Sequence, residues 1–261
     1  MADSMQKLTS YKPLRASVIA LIVLIAVLVL GGALWSLCMV TIDPGMVGIV
    51  FHERGEPDPA GHFIVEEGYK GIQREVLEPG LHFFPLTTTF MEITQVPMTV
   101  VPEGKVGVLI AQDGRPLPEG AVLAEDDQFD ENGNLVKMGQ IGIRKEILKP
   151  GTHLINTEYF QVELADAFYV PSGKIGVLKR EIGDSAPPGQ ILVSLEDNYR
   201  GYIREVQEPG LRYFHPKIYS WDVVDALNIP PGKVGVLTRK IGDAAPAGQR
   251  LVPRDSNYRG I

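Results

Sequence analysis

The sequence predicts a mainly β protein: one N-terminal transmembrane helix followed by a tandem array of small β-rich repeats. Three observations carry that expectation. Ala16 to Val40 contains no charged residue. Beyond it, one block of residues recurs four times, punctuated by glycine and proline at fixed offsets. Between Thr41 and Ile261 no stretch has the 3.6-residue periodicity of a convincing amphipathic helix. The pattern leaves room there only for a short helical turn near Ala165-Asp166 or Asp225-Ala226.

The helix comes first. Its 25 uncharged residues would extend about 37 Å, against a hydrocarbon core of about 30 Å. The run is longer than the roughly 7–15 apolar residues of a cleaved signal peptide, so it reads as an uncleaved anchor. Lys7, Lys12 and Arg15 precede it, with Asp3 the one acid; Asp43, Glu53, Glu56 and Asp58 follow, against Arg54. The basic flank stays cytoplasmic. Residues 1–15 are then a cytoplasmic tail, residues 16–40 the span, and the repeats lie outside the cytoplasm, in the periplasm of a Gram-negative cell. Membrane lipid is accordingly an expected partner.

The repeat has two phrases. The first is PGMVGIV at Pro44, PEGKVGVLI at Pro102, PSGKIGVL at Pro171 and PPGKVGVL at Pro230. The second is GIQREVLEPGLHFFP from Gly71, GIRKEILKPGTHLIN from Gly142 and GYIREVQEPGLRYFHP from Gly201, with a fourth beginning at Gly260. Gly45, Gly104, Gly173 and Gly232 open the copies, and Gly61, Gly120, Gly189 and Gly248 follow at a constant offset. The last two copies repeat at 59 residues. Copy two carries an insert over Asp127 to Met138, with Asn132-Gly133 as a two-residue hairpin turn.

Pro-Gly at the opening suits a type II turn. The alternation of Val234 and Val236 around Gly235, and of Ile175 and Val177 around Gly176, is strand patterning. The central glycine marks a bulge or a close backbone approach. The expected division is residues 42–96 for copy one, 97–167 for copy two, 168–227 for copy three and 228–261 for an incomplete copy four. Such units cannot each bury their apolar face alone, so they stack.

Composition excludes several classes. The net charge is −7, which argues against nucleic acid as partner. Cys38 is the single cysteine and falls in the apolar run, leaving no disulfide, thiolate site or cysteine nucleophile outside it. His82 and His153 share one place in the second phrase, where copy three has Arg212, so that position reads as strand surface instead of a metal ligand. His52 and His62 occur in copy one only. Asp126, Asp127, Asp130, Glu131 and Asn132 lack the glycine and closing acid of a calcium loop and read as a solvated hairpin tip. No nucleophile elbow or phosphate loop is present. Ser172 beside Lys174 is a turn position, occupied by Glu103 or Pro231 in other copies. The expectation is no enzyme, no cofactor and no metal.

One polar element recurs: Arg74-Glu75, Lys145-Glu146 and Arg204-Glu205. It has two readings, solvated strand charge and a register device in which one copy's base meets the next copy's acid. These six residues are the candidate contacts between repeats or subunits.

The chain resembles the SPFH (band 7) family of stomatins, prohibitins and flotillins. Ile42-Asp43-Pro44-Gly45-Met46-Val47-Gly48-Ile49-Val50 and Glu78-Pro79-Gly80-Leu81-His82-Phe83-Phe84-Pro85 carry the resemblance, which returns at Val170 to Leu178 and Glu208 to Pro216. It implies a membrane-anchored scaffold that forms large homo-oligomers, organises membrane microdomains, and holds or regulates other membrane proteins such as proteases. It implies no catalytic residues. The chain departs from the family in repeating the early β unit and in lacking the α/β second half and the long coiled-coil helix; these are expected beyond Ile261. The rival expectation is a tethered module binding a ligand or glycan, for which Tyr213, Phe214, Tyr219 and Trp221 are the candidate aromatics, against their filling the core of copy three.

Overall fold

The computed structural model describes residues 11–84, 90–188, 190–249, 251–253, 256 and 258–261, without side chains at 11–16, 34, 36 and 37. Lys7, Pro85 and Gly189, and the side chains of Lys12 and Arg15, lie outside what is described. The chain divides into two compact units, Met1–Met98 with Leu154–Tyr159, and Thr99–His153 with Phe160–Ile261.

In the first unit a helix, α1 (Tyr11–Cys38), leads into seven strands: β1 (Met39–Ile42), β2 (Met46–His52), β3 (Glu56–Pro57), β4 (Ile64–Val65), β5 (Tyr69–Leu77), β6 (Gly80–Phe83) and β7 (Met91–Pro97). The expected transmembrane helix is corrected here. No helix among the described residues is long and apolar enough to cross a membrane. The single-pass placement, with the tail cytoplasmic and the repeats outside, falls with it.

The β expectation holds. β2 lies between β5 and β7 in a sheet of order β3-β5-β2-β7, with β4 also on β5, while β1 pairs β6. β2 runs antiparallel to both neighbours.

The second unit repeats this plan twice. Copy two contributes β8 (Thr99–Val101), β9 (Lys105–Ala111), β10 (Leu123–Ala124), β11 (Gln128–Phe129), β12 (Leu135–Lys137), β13 (Gly142–Leu148), β14 (Gly151–His153) and β15 (Phe160–Asp166). Copy three contributes β16 (Phe168–Val170), β17 (Lys174–Arg180), β18 (Asp184–Ser185), β19 (Leu192–Val193), β20 (Tyr199–Ile203), β21 (Gly210–Arg212) and β22 (Tyr219–Asp225). The sheets have order β10-β13-β9-β15 and β18-β20-β17-β22. The helical turns allowed for near Ala165-Asp166 and Asp225-Ala226 are not formed: Ala165, Asp166 and Asp225 end strands whose alternate residues pair with β9 or β17.

The opening turns are those the Pro-Gly chemistry requires. Met46, Lys105, Lys174 and Lys233 each donate a backbone N–H to the carbonyl three residues earlier. Gly45, Gly104, Gly173 and Gly232 hold φ of 82°, 77°, 78° and 83° at the third turn position. The central strand glycine answers to a close approach. A Cβ on Gly48 would lie 2.7 Å from Ile42, on Gly107 3.2 Å from Val101, and on Gly176 2.4 Å from the Phe168 ring. Those apolar residues precede the turn and fold back over the glycine. Gly176→Ala therefore overpacks copy three, and we expect it to cost about 1–3 kcal/mol, read as a lowered urea midpoint with an unchanged slope.

The insert departs from its expected turn. β11 and β12 are joined by residues 130–134, with Asp130 accepting from the backbone N–H of Asn132 at 2.9 Å and of Asn134 at 2.8 Å. Asp130 also accepts from the Asn134 amide at 2.9 Å, which holds its carboxyl below the usual range. An Asx-type loop of five residues has displaced the two-residue turn because one side chain satisfies several backbone donors at once.

Copy three has the clearest core. Phe168, Val170, Leu178, Val193 and Ile203 are buried together, with Phe214, Tyr219 and Trp221 packed on them. The aromatics considered for a glycan site are, for these three, core residues. Tyr213 is half-buried beside them in sequence.

Candidate functional site

The second phrase builds a strand that its own copy leaves uncovered on one side, and the following copy supplies the cover. In copy one the strand is β5. Its Gln73 is buried at 9% exposure although it is polar. The Asn156 side-chain amide, from copy two, donates to the Gln73 carbonyl at 2.9 Å. Asn156 is itself 4% exposed, and its side-chain oxygen accepts from the backbone N–H of Glu158 and Tyr159 at 3.1 and 3.3 Å. One residue thus shapes the loop and fastens it to the neighbouring copy.

Tyr159 completes the contact. It is 1% exposed. Its hydroxyl accepts from Arg74 at 3.2 Å, and the Arg74 guanidinium lies 5.2 Å from the ring centroid. Glu66 pairs with Arg74 at 2.6 Å. The desolvated cation therefore meets both a carboxylate and an aromatic face.

The same contact returns one copy later. Arg144 stands in copy two where Gln73 stands in copy one. His215, from copy three, occupies the place of Asn156. Its Nε2 lies 3.0 Å from the Arg144 carbonyl, and its Nδ1 accepts the Lys217 N–H at 3.1 Å. Those partners fix the neutral tautomer with the proton on Nε2. Burial pushes the imidazole below its ordinary pKa, and the carbonyl bond opposes that only in part. Beside it, Lys217 of copy three pairs with Glu163 of copy two at 3.2 Å, both half-exposed.

The Arg144 side chain is committed elsewhere. It donates to the Glu125 carbonyl and faces Asp126 at 3.5 Å and Asp127 at 3.8 Å. Asp127 also accepts from the Gly139 N–H at 2.6 Å. These acids of the insert hold its base onto the sheet.

The six candidate contact residues are distributed unevenly. Arg74 is brought into the junction described above. Glu75, Lys145, Glu146, Arg204 and Glu205 are exposed. Glu205 accepts from the Leu195 N–H at 3.3 Å within its own copy. Glu66 of the same copy pairs with Arg74, and Lys217 of copy three pairs with Glu163 of copy two. Arg74 thus meets Glu66 of its own copy and Tyr159 of the next. Pro85, Asn156 and His215 hold one place in the second phrase, but they differ in type, so comparing identities between copies passed over Asn156 and His215; Tyr159 lies beyond the phrase.

The recurring histidines serve turns. Nε2 of His82 lies 2.7 Å from the Glu78 carbonyl, and Nε2 of His153 2.8 Å from the Lys149 carbonyl, each closing its own Pro-Gly corner. Lys174, weighed beside Ser172, pairs with Asp225 at 2.7 Å. The chemistry of the junctions is that of association: a donor, a buried carbonyl, an aromatic cover and a charge pair. No protein-family model and no curated protein matches this chain.

Proposed function

We propose that this chain is a scaffold whose tandem β copies dock head to tail, serving as the body of a large homo-oligomer that holds or regulates other proteins, such as proteases. The resemblance to the SPFH (band 7) family points the same way, and the role carries no catalysis. The observation that supports the reading is the repetition of one junction: the same backbone carbonyl of copies one and two, at Gln73 and Arg144, is taken by the following copy at 2.9 and 3.0 Å. A surface that repeats along one chain can repeat between chains.

Light scattering of the purified chain tests this. The scaffold reading expects particles of many chains, and expects Arg204→Glu and Glu205→Arg to reduce their size. A homogeneous monomer for the wild-type chain would overturn it.

A further inference from the structure

The loop that closes the insert of copy two holds a reactive pair as well as a turn. Residues 130–134 are all exposed. Asn132-Gly133 is the one Asn-Gly pair in the chain; Asn134, Asn156, Asn198, Asn228 and Asn257 precede leucine, threonine, tyrosine, isoleucine and tyrosine. That difference is chemical. A residue's backbone nitrogen can attack the side-chain amide of the asparagine before it, and a Cβ beside that nitrogen obstructs the approach. Glycine has none and turns freely into the geometry required.

The loop leaves the amide of Asn132 free. The Asn132 backbone N–H is taken by Asp130 at 2.9 Å, but its side chain makes no hydrogen bond among the described residues. Other asparagine amides are held. Asn134 Nδ2 donates to Asp130 at 2.9 Å, Asn156 Nδ2 to the Gln73 carbonyl at 2.9 Å and Asn198 Nδ2 to Asp184 at 3.2 Å. Gly133 lies outside any strand and has φ of 83°. Its N–H donates to the Asp130 carbonyl at 3.0 Å. That single bond at an exposed tip opens locally, with water taking the carbonyl.

We propose that Asn132 is a site of spontaneous covalent modification, closing to a succinimide with Gly133 and opening to aspartate or isoaspartate. Hydroxide removes the Gly133 amide proton and the nitrogen attacks Cγ of Asn132. The new N–Cγ bond forms, the Cγ–Nδ2 bond breaks, and Nδ2 leaves as ammonia with a proton from water. A second water then opens the ring. Attack at Cγ restores the ordinary chain as aspartate. Attack at the backbone carbonyl carries the chain through Cβ as isoaspartate. The net change is one amide and one water to one carboxylate and one ammonium, with no oxidant or reductant.

The surroundings confine the result to the tip. Isoaspartate adds a methylene to the backbone between Asp130 and Asn134, whose N–H and side-chain amide both donate to Asp130. The new carboxylate also stands beside Asp130 and Glu131. The loop therefore loosens and β11 and β12 part more readily. The base of the insert keeps its own fastenings: Glu125 pairs with Arg115 at 2.7 Å and Lys137 at 2.9 Å, and Asp127 accepts from the Gly139 N–H at 2.6 Å.

The test incubates the full chain in neutral and in mildly alkaline buffer, beside a urea-unfolded sample. Mass spectrometry follows the proteolytic peptide that contains residues 130–137, and an isoaspartate-specific carboxyl methyltransferase with labelled methyl donor reports isoaspartate. The folded chain should gain one mass unit at Asn132, faster in the alkaline sample, and should accept methyl label there. Asn132→Gln should lose both signals, because its longer side chain cannot close the same five-membered ring. In the aged chain, amide protection should fall in β11 and β12 and hold in β13. A folded chain that stays unchanged while the unfolded sample reacts, a gain placed at Asn134, or a gain that persists in Asn132→Gln would each overturn the proposal. So would unaltered protection of β11 and β12 in the modified chain. Particle size before incubation reports on the scaffold alone, so the two proposals fail separately.

Discussion

Phe168→Ala is expected to unfold copy three at markedly lower denaturant. The ring is 1% exposed, lies 5.1 Å from Trp221 and 6.4 Å from Phe214, and roofs Gly176. Its removal loses the transfer free energy of a whole aromatic side chain and opens a void that the rigid strand pair β17–β22 cannot close. The cost is about 3–5 kcal/mol. Trp221 fluorescence in a Trp35→Phe background reports the transition, and a midpoint shift worth under about 1 kcal/mol would show that Phe168 is not the centre of this core. Phe168→Leu keeps most of the volume and should lose far less.

His215 carries the second large effect. His215→Ala leaves the Arg144 carbonyl and the Lys217 N–H without their partner, at about 1–3 kcal/mol for each buried group. The same residue makes the junction sensitive to acid. Its folded pKa lies below its unfolded value because burial disfavours the imidazolium. The unfolded chain therefore binds a proton that the folded chain refuses. The stabilisation is present above about pH 6.5 and is lost as pH falls below that value through the folded pKa. Protection factors of the β13 and β15 amides, referenced to intrinsic exchange at each pH, should fall from pH 7.5 to 5.5, values set about the ordinary imidazole pKa. His215→Asn installs the residue that copy two uses at this place. It should keep a bond to the Arg144 carbonyl and flatten the pH response; an unchanged response would assign the acid sensitivity to another group.

Local chemistry was legible in the sequence where one residue type has one solution. The opening turns follow from Pro44-Gly45 and Pro231-Gly232, and their glycines adopt the positive φ that this turn needs. Gly48, Gly107 and Gly176 could be read as close approaches because a strand tolerates glycine poorly otherwise. The β5, β13 and β20 strands were equally plain from Gly71, Gly142 and Gly201. The junctions were less so. Asn156 and His215 perform one task with different side chains, since any side-chain N–H of suitable reach can serve a backbone carbonyl. A motif search keeps identities and so separates them. The Arg/Lys-Glu pairs are a second case: their repetition is plain in the sequence, and among the described residues Arg74 meets a buried partner of the following copy, Tyr159. Asp130 shows a third limit: Asn-Gly suggests a tight hairpin, yet a nearby carboxylate with three donors in reach reorganises the loop.

The closure of each copy by a strand that comes late in its own sequence also bears on synthesis. A ribosome delivers β2 well before β7, and β5 long before Asn156. As each copy emerges it therefore spends an interval with its central strand open on one side and its second-phrase strand undocked. At elongation rates of about 5–20 residues per second that interval lasts seconds, while hairpin pairing takes microseconds. The nascent chain thus carries a single growing edge that moves towards the C-terminus with translation. Neighbouring ribosomes on one message would hold such edges close together, so the first encounters between chains can occur before either is released.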